Sequence, residues 1–421
     1  MKRFDAATWS ASPLSRRGLD LSRFDAERRS VMEICARVAA VGDDALREYS
    51  ARFDGWAPRS DQTFEVESGE MSAAAGRLGK ADRAALEFAA ERIRDFHSRH
   101  ADVATNGSQG LELVSRPVRR AGLYVPGGRA AYPSTVLMTA IPARVAGVRD
   151  LVMATPPRAD GTVADSILAA AHIAGVDAIY RLGGAHAIAA LAYGTESIAR
   201  VDLIVGPGNL YVNLAKREVF GAVGLDGIAG PTEVMVIADA SARPDFVAAD
   251  LAAQLEHDPL AIAVLVTDSA ALSGRVEEEL ENLLLGLERA DIIRAATCSA
   301  IVVRDLDEAM KIANEFAPEH LLIVTDDASA RARQVENAGA VFAGAYATVP
   351  LGDYTAGPNH TLPTSGSARF ASPLGVRTFT KQMSVLSLDR ADLDALQQAT
   401  VRLAQMEGLG AHAHAVEVRL E

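Results

Sequence analysis

At 421 residues, with 49% hydrophobic and 23% charged side chains, the chain can bury one large core or two ordinary ones and is too apolar to be disordered. Its 55 acidic against 42 basic residues leave a formal charge of −13, and the short basic clusters RRAG and SRR make no stripe for a nucleic acid to follow. No apolar run is long enough to span a bilayer, and the opening residues MKRFDAATWSASPLSRRG lack the apolar centre of a secretory signal, so a soluble, cytoplasmic protein is expected. Cys35 and Cys298 match no metal or redox spacing and read as small buried apolar residues.

From about residue 23 to residue 103 the apolar residues recur at helical spacing, as in VMEICARVAAVGDDALREYSARFDG, with Gly42 and Gly55 as stops. The rhythm then changes. GLYVPGG, DLVMATPP, AIYRLGG and LIVGPGN are short aliphatic runs, each ending in Gly or Pro and followed by a helical pattern, which predicts a parallel sheet with crossover helices. A second series, EVMVIAD, AIAVLVTD, AIVVRD and LLIVTD, repeats the pattern and predicts a second α/β lobe with a cleft between the two. Beyond residue 343, GAYATVPLGDYTAGPNHTLPTSGSARF is long for a structureless connection and points to a functional loop. The last segment, RADLDALQQATVRLAQMEGLGAHAHAVEVRLE, reads as one or two helices with a Gly-rich break.

Several polar residues stand out against this background. PDFVAADLAAQLEHDP predicts a helix with Pro244 in its first turn, placing Gln254 and His257 at i and i+3 near its end. By itself that pair fits a histidine interacting with a helix C-terminus better than a metal site. Asp353 and His360 fall on the Gly/Pro-rich loop, and His412 and His414 follow the later Gly-rich turn. An amide oxygen, a carboxylate and two imidazoles would suit zinc, but spacing alone brings none of them together. The loops GLYVPGG and VGPGN expose free backbone N–H groups at helix starts, where an anion such as a pyrophosphate binds, although neither is GxGxxG. In NEFAPEHLLIV, Glu319 and His320 stand directly against an apolar run, and Pro318 holds that strand start extended. A rim pair at a strand end and a catalytic pair are equally compatible with that stretch.

Taken together, GLYVPGG, AAYPSTVLMTAIPARVAGV, GGAHAIAALAYGTESI, VGPGNLYVNLAKREVFG, AGPTEVMVIAD, AAQLEHDP, NEFAPEHL, GDYTAGPNHTLPT and MEGLGAH resemble the histidinol dehydrogenases in order and spacing, from about residue 23 to the C-terminus. The resemblance implies a two-lobed Rossmann-like α/β fold with parallel sheets, a helical N-terminal section and a C-terminal helical tail. Its expected divisions are an arm at 1–22, a first lobe at 23–120 with 232–374, an NAD-binding lobe at 121–231, and a tail at 375–421 that crosses to the partner in a homodimer with shared active sites. It implies NAD as cofactor and one Zn2+ per subunit, held by Gln254, His257, Asp353 and His412. Glu319 and His320 match the acid/base pair. Substrate contacts match Thr232, His360 and Glu407 together with Gln254, His257, His320, Asp353 and His412, and NAD contacts match Tyr124, His186 and Asn209.

The implied reaction is a two-step oxidation of L-histidinol through L-histidinal to L-histidine, at the end of histidine biosynthesis. His320 would be the base in both steps and Glu319 the group that activates water, while zinc positions the substrate's amino and imidazole nitrogens. Two positions depart from the usual pattern: Thr232 stands where AGPSE has serine, and His186 where GGAQAI has glutamine. Thr232 keeps open an alternative, a paralogous zinc and NAD dehydrogenase acting on another amino alcohol or a sulfonated diol. A zinc hydrolase using Glu319 is opposed by the Tyr124 and Asn209 loops, and a non-catalytic binding protein has no need of an acid/base pair.

Overall fold

The computed structural model describes residues 1–15, 24–101, 106–108, 110–127 and 131–420. The expected boundary between arm and helical section at residues 22 and 23, and Gly128 of the GLYVPGG loop, lie outside the described residues. In chain order, β1 (Lys2–Asp5) and α1 (Ala6–Ala11) precede four helices, α2 (Asp25–Val41), α3 (Asp43–Phe53), α4 (Glu70–Arg77) and α5 (Lys80–Arg99). Strands β2 (Asn106–Ser108) and β3 (Leu111–Pro117) lead to the first alternating series. This is β4 (Arg120–Tyr124), α6 (Pro133–Ala146), β5 (Asp150–Thr155), α7 (Asp165–Ala174), β6 (Ala178–Arg181), α8 (Gly184–Tyr193), β7 (Leu203–Val205), α9 (Leu210–Val219) and β8 (Gly224–Leu225). The second series is β9 (Glu233–Ala238), α10 (Pro244–Leu255), β10 (Ile262–Thr267), α11 (Ala270–Leu284), α12 (Ala290–Ala295), β11 (Thr297–Val302), α13 (Leu306–Phe316), β12 (His320–Val324), α14 (Ala328–Ala332) and β13 (Ala340–Ala343). Then come α15 (Val349–Tyr354), β14 (Thr380–Leu386), α16 (Arg390–Met406) and α17 (Gly410–Glu417).

The chain forms two compact units, Met1–Ala101 with Val118–Phe379, and Asp102–Pro117 with Thr380–Glu421. In the larger unit both expected series become all-parallel sheets, ordered β6-β5-β4-β7-β8 and β1-β11-β10-β9-β12-β13. Their strands carry apolar residues on both faces because helices cover both; all six residues of β9 and all five of β12 are buried. Side chains of α2, α8 and α9 pack on one face of the five-stranded sheet, and those of α5, α6 and α7 on the other. The helices between residues 25 and 99 therefore pack on the five-stranded sheet, whereas the expected division grouped residues 23–120 with the other. The six-stranded sheet lies between α10 with α11 and α1 with α13.

In the smaller unit β3 pairs antiparallel with both β14 and β2, and α16 and α17 follow, as the Gly-rich break predicts. Among its described residues this unit exposes Leu111, Leu113, Met383, Leu386, Leu403 and Met406. No helix among the described residues is long and apolar enough to cross a membrane.

Candidate active site

The end of α13 sets up the site. Asp305 caps its start by accepting from the Glu308 N–H, and Ala317 closes it in the left-handed region (φ 51°), an uncommon conformation for a residue with a Cβ. Pro318 prevents the helix from continuing, and the chain passes into β12 with Glu319 just before the strand and His320 as its first residue. Both are nearly inaccessible, at 7% and 4% exposure. Glu319 Oε2 accepts from Thr232 Oγ1 at 2.5 Å and from the Glu233 N–H at 2.8 Å, both at the start of the neighbouring strand β9. His320 Nδ1 lies 3.2 Å from the Glu233 carbonyl oxygen. A carbonyl only accepts, so Nδ1 carries the hydrogen and Nε2 keeps its lone pair. That Nε2 is buried, has no hydrogen-bond partner and lies 3.8 Å from Asp353 Oδ1.

Burial raises the pKa of Glu319, opposed by His320 and by the hydrogen bond from Thr232. Burial disfavours the imidazolium of His320, but the carboxylates of Glu319 and Asp353 outweigh it and hold its pKa above the ordinary imidazole value. A proton is thus well held on His320 once it has been taken up.

Thr232 Oγ1 also accepts from Gln254 Nε2, so its hydroxyl links the Gln254 amide to the Glu319 carboxylate and leaves the Gln254 carbonyl oxygen free. Gln254 is in the last turn of α10, while His257 lies just beyond the helix end instead of one turn along it. Asp353 is in the short helix α15, not on a loop, because Pro350 sits at its start. His360 follows on the irregular segment, with Nδ1 3.0 Å from the Asp353 carbonyl oxygen, and burial lowers its pKa. Thr232, Gln254, His257, Glu319, His320, Asp353 and His360 all line one cavity of about 820 Å³.

Among the described residues no three His, Cys, Asp or Glu side chains stand at metal-binding spacing. Of the four residues that the resemblance implies as zinc ligands, Gln254, His257 and Asp353 line the cavity and offer one amide oxygen, one imidazole and one carboxylate, a set that fits zinc and is one ligand short of a tetrahedral shell. Glu407 and His412 are in the smaller unit, at the end of α16 and in α17, both exposed.

A sequence model of histidinol dehydrogenase matches residues 20–420. The chain belongs to the histidinol dehydrogenase family. It is 48% identical to the histidinol dehydrogenase of Moorella thermoacetica over 98% of this chain and 97% of that one, and 48% identical to that of Syntrophotalea carbinolica over 93% and 92%. The crystal structure of histidinol dehydrogenase from Elizabethkingia anophelis superposes with a TM-score of 0.91 at 33% identity, covering 100% of this chain and 98% of that one. The family uses NAD and zinc.

The second wall of the cavity comes from the five-stranded sheet, through Pro126 after β4 and Gly206, Pro207 and Gly208 after β7. The three residues that the histidinol dehydrogenase resemblance assigns to NAD stand near these turns, each engaged within the protein and none on the cavity lining. The Tyr124 hydroxyl accepts from the Gly184 N–H at 3.0 Å, and burial pushes its pKa up to about 12. Asn209 caps α9 by accepting from the Val212 N–H. His186 is fully buried, with Nε2 3.2 Å from Ser50 Oγ and 3.1 Å from Asp54 Oδ2.

Two lining residues escaped sequence reasoning, Lys216 and Asp226, a buried ion pair at 2.5 Å. A signal existed: Lys216 shares the buried stripe of α9 with Val212 and Val219, where a charge is out of place.

Proposed function

We propose that the protein is a zinc-dependent L-histidinol dehydrogenase that oxidises L-histidinol to L-histidine through L-histidinal with two NAD, and that it works in the cytoplasm. The observation that carries the reading is the free, buried Nε2 of His320 facing the cavity beside Glu319, in a chain nearly half identical to histidinol dehydrogenases over almost its whole length.

In the first step His320 Nε2 takes the hydroxyl proton as the carbinol C–H bond breaks and its electron pair leaves as hydride for NAD, giving aldehyde, NADH and one proton. Glu319 then draws a proton from water through Oε1, since Oε2 is committed to Thr232 and Glu233; the water oxygen bonds to the aldehyde carbon while the proton held by His320 passes to the aldehyde oxygen, which gives the hydrate and leaves His320 a free base again. In the second oxidation His320 removes a hydrate proton while the remaining C–H hydride goes to a second NAD, and the product leaves as carboxylate. Gln254, His257 and Asp353 would hold zinc, which when bound supplies a fixed anchor for the substrate's amino and imidazole nitrogens. His360 contacts the substrate, and Tyr124, His186 and Asn209 serve the NAD side, in the lobe built on the five-stranded sheet. The fourth zinc ligand, His412, and the substrate contact Glu407 come from the other subunit of a homodimer; the exposed apolar residues of the smaller unit support such pairing.

The deciding assay is NADH formation from L-histidinol against a panel of other amino alcohols and sulfonated diols. Turnover of L-histidinol well above the panel is expected; turnover of another alcohol with none of L-histidinol would replace this reading with the paralogous dehydrogenase. His257→Ala and Asp353→Ala should each lose zinc on purification with the fold kept, and full zinc occupancy in either variant would remove these residues from the ligand set.

A further inference from the structure

The proposed reaction makes no use of the buried Lys216–Asp226 pair, yet its side chains are only 3% and 6% exposed and both line the cavity. Replacing such a pair by apolar residues often costs a protein nothing in stability, so its hydrogen bonds are the place to look for its role. They converge on one residue, Gly206. The Gly206 N–H donates to Asp226 Oδ2 at 2.7 Å, and Lys216 Nζ donates to the Gly206 carbonyl oxygen at 2.9 Å.

Gly206 has φ 115°, and a Cβ there would stand 2.1 Å from the Tyr124 carbonyl oxygen, so the residue cannot be exchanged for another and is held from both sides. One helical turn earlier on the same face of α9, Asn213 donates to the Gly208 carbonyl oxygen at 2.9 Å and accepts from the Ala229 N–H at 3.0 Å. The two side chains thereby tie the Gly206–Gly208 turn to residues 226–229, the segment that runs on into Thr232 and β9. Thr232 in turn holds Glu319.

We propose that Lys216 and Asp226 are positioning residues that set the cofactor-side turn of the cavity in register with the catalytic strand, so that bound NAD presents its reacting carbon to the substrate held beside His320. The inference rests on the reading that NAD lies along the β7–α9 turn. Neither side chain reacts; each acts through the backbone of Gly206.

The test compares wild type with Lys216→Met, with the double variant Lys216→Met and Asp226→Asn, and with Asn209→Ala, reading NADH affinity by fluorescence, KM for NAD, KM for L-histidinol and melting temperature on the zinc-loaded enzyme. Lys216→Met strands a buried carboxylate, so melting temperature and NADH affinity should both fall. The double variant removes the stranded charge and keeps an acceptor for the Gly206 N–H, so its melting temperature should recover. Its NADH Kd and KM for NAD should stay raised by about fivefold or more, with KM for L-histidinol within about twofold of wild type.

Recovery of NADH affinity together with melting temperature in the double variant, while Asn209→Ala binds NADH weakly, would overturn the positioning role and leave the cofactor site standing. Wild-type NADH affinity in both Asn209→Ala and the double variant would overturn the cofactor site at this turn and the inference with it. Should the double variant not fold, the neutral pair Lys216→Gln and Asp226→Asn, which strands no charge, carries the same comparison: weaker NADH binding at a melting temperature near that of wild type supports the pair, and unchanged binding overturns it.

Discussion

His320 and Glu319 are neighbours with different hydrogen-bond commitments, and those commitments separate their work. With Nδ1–H directed to a carbonyl, His320 has a lone pair on Nε2, whereas Glu319 has one oxygen tied by two donors and one left over. His320→Asn should therefore depress oxidation of alcohol and of supplied aldehyde alike, by about 100-fold or more, the range seen when a general base is removed. Glu319→Gln should cost aldehyde oxidation about tenfold more than alcohol oxidation to the aldehyde stage, measured as single-turnover NADH bursts. Equal losses from Glu319→Gln with either substrate would refute the division.

His97, on the buried side of α5, shows how a histidine without a partner behaves. Its Nε2 has no hydrogen bond, and burial, helped by His100 nearby, lowers its pKa to about 4. The folded pKa lies below the unfolded one, so above the ordinary imidazole value His97 contributes nothing, and between about 6.5 and about 4 the unfolded chain takes up the proton that the folded one refuses. Stability should fall as pH drops through that window, by about 2 kcal/mol at pH 5 from this residue. Urea unfolding of His97→Leu should show that much less loss between pH 7 and pH 5 than wild type.

At the scale of elements, the turn that aims the proposed catalytic pair is the clearest target. Ala317 is fully buried in the left-handed conformation between α13 and Pro318. Ala317→Gly should fold and work normally, since glycine takes that conformation freely, whereas Ala317→Val should lose about 2 kcal/mol or more from strain and overpacking. A Val variant as stable as wild type by urea unfolding would show that the turn can relax.

The same elements mark what could be read from sequence. The long apolar runs of β4 to β7 and β9 to β12 were legible because a strand covered on both faces must be apolar throughout. Glu319 and His320 stood out as charge against such a run. Strand β1 did not, because KRFD is an edge strand whose side chains are largely exposed. Helix α15 did not, because six residues span too few turns to show a period. The link from Gln254 through Thr232 to Glu319 joins residues 22 and then 87 apart, a contact that only the fold creates. For the same reason the sheet on which α2 to α5 pack could not be read from their apolar stripes, which show that a helix has a buried face but not what covers it.

For the molecule as a whole, the proposed homodimer, with Glu407 and His412 completing the other subunit's site, would make each site a property of the dimer. Two inactive variants, His320→Asn and His412→Asn, unfolded and refolded together should then recover about a quarter of wild-type activity, because random pairing makes half the dimers mixed and each mixed dimer has one intact site of two. No recovery, with mixed dimers verified by native mass spectrometry, would mean that the tail serves its own subunit.

The cavity also has an orientation that neither sheet has alone. The wall that carries Glu319 and His320 is built at the amino ends of β9 and β12, where α10 and α13 finish, while the opposite wall lies after the carboxyl ends of β4 and β7, where α6 and α9 begin. Finishing helices bring partial negative charge and beginning helices partial positive charge, about half an electron each at low screening. The space between is therefore polarised before anything enters it. The side that suits a divalent ion and a protonated imidazole faces the side that suits phosphates, so that an anion entering the cavity is drawn to one wall and turned away from the other.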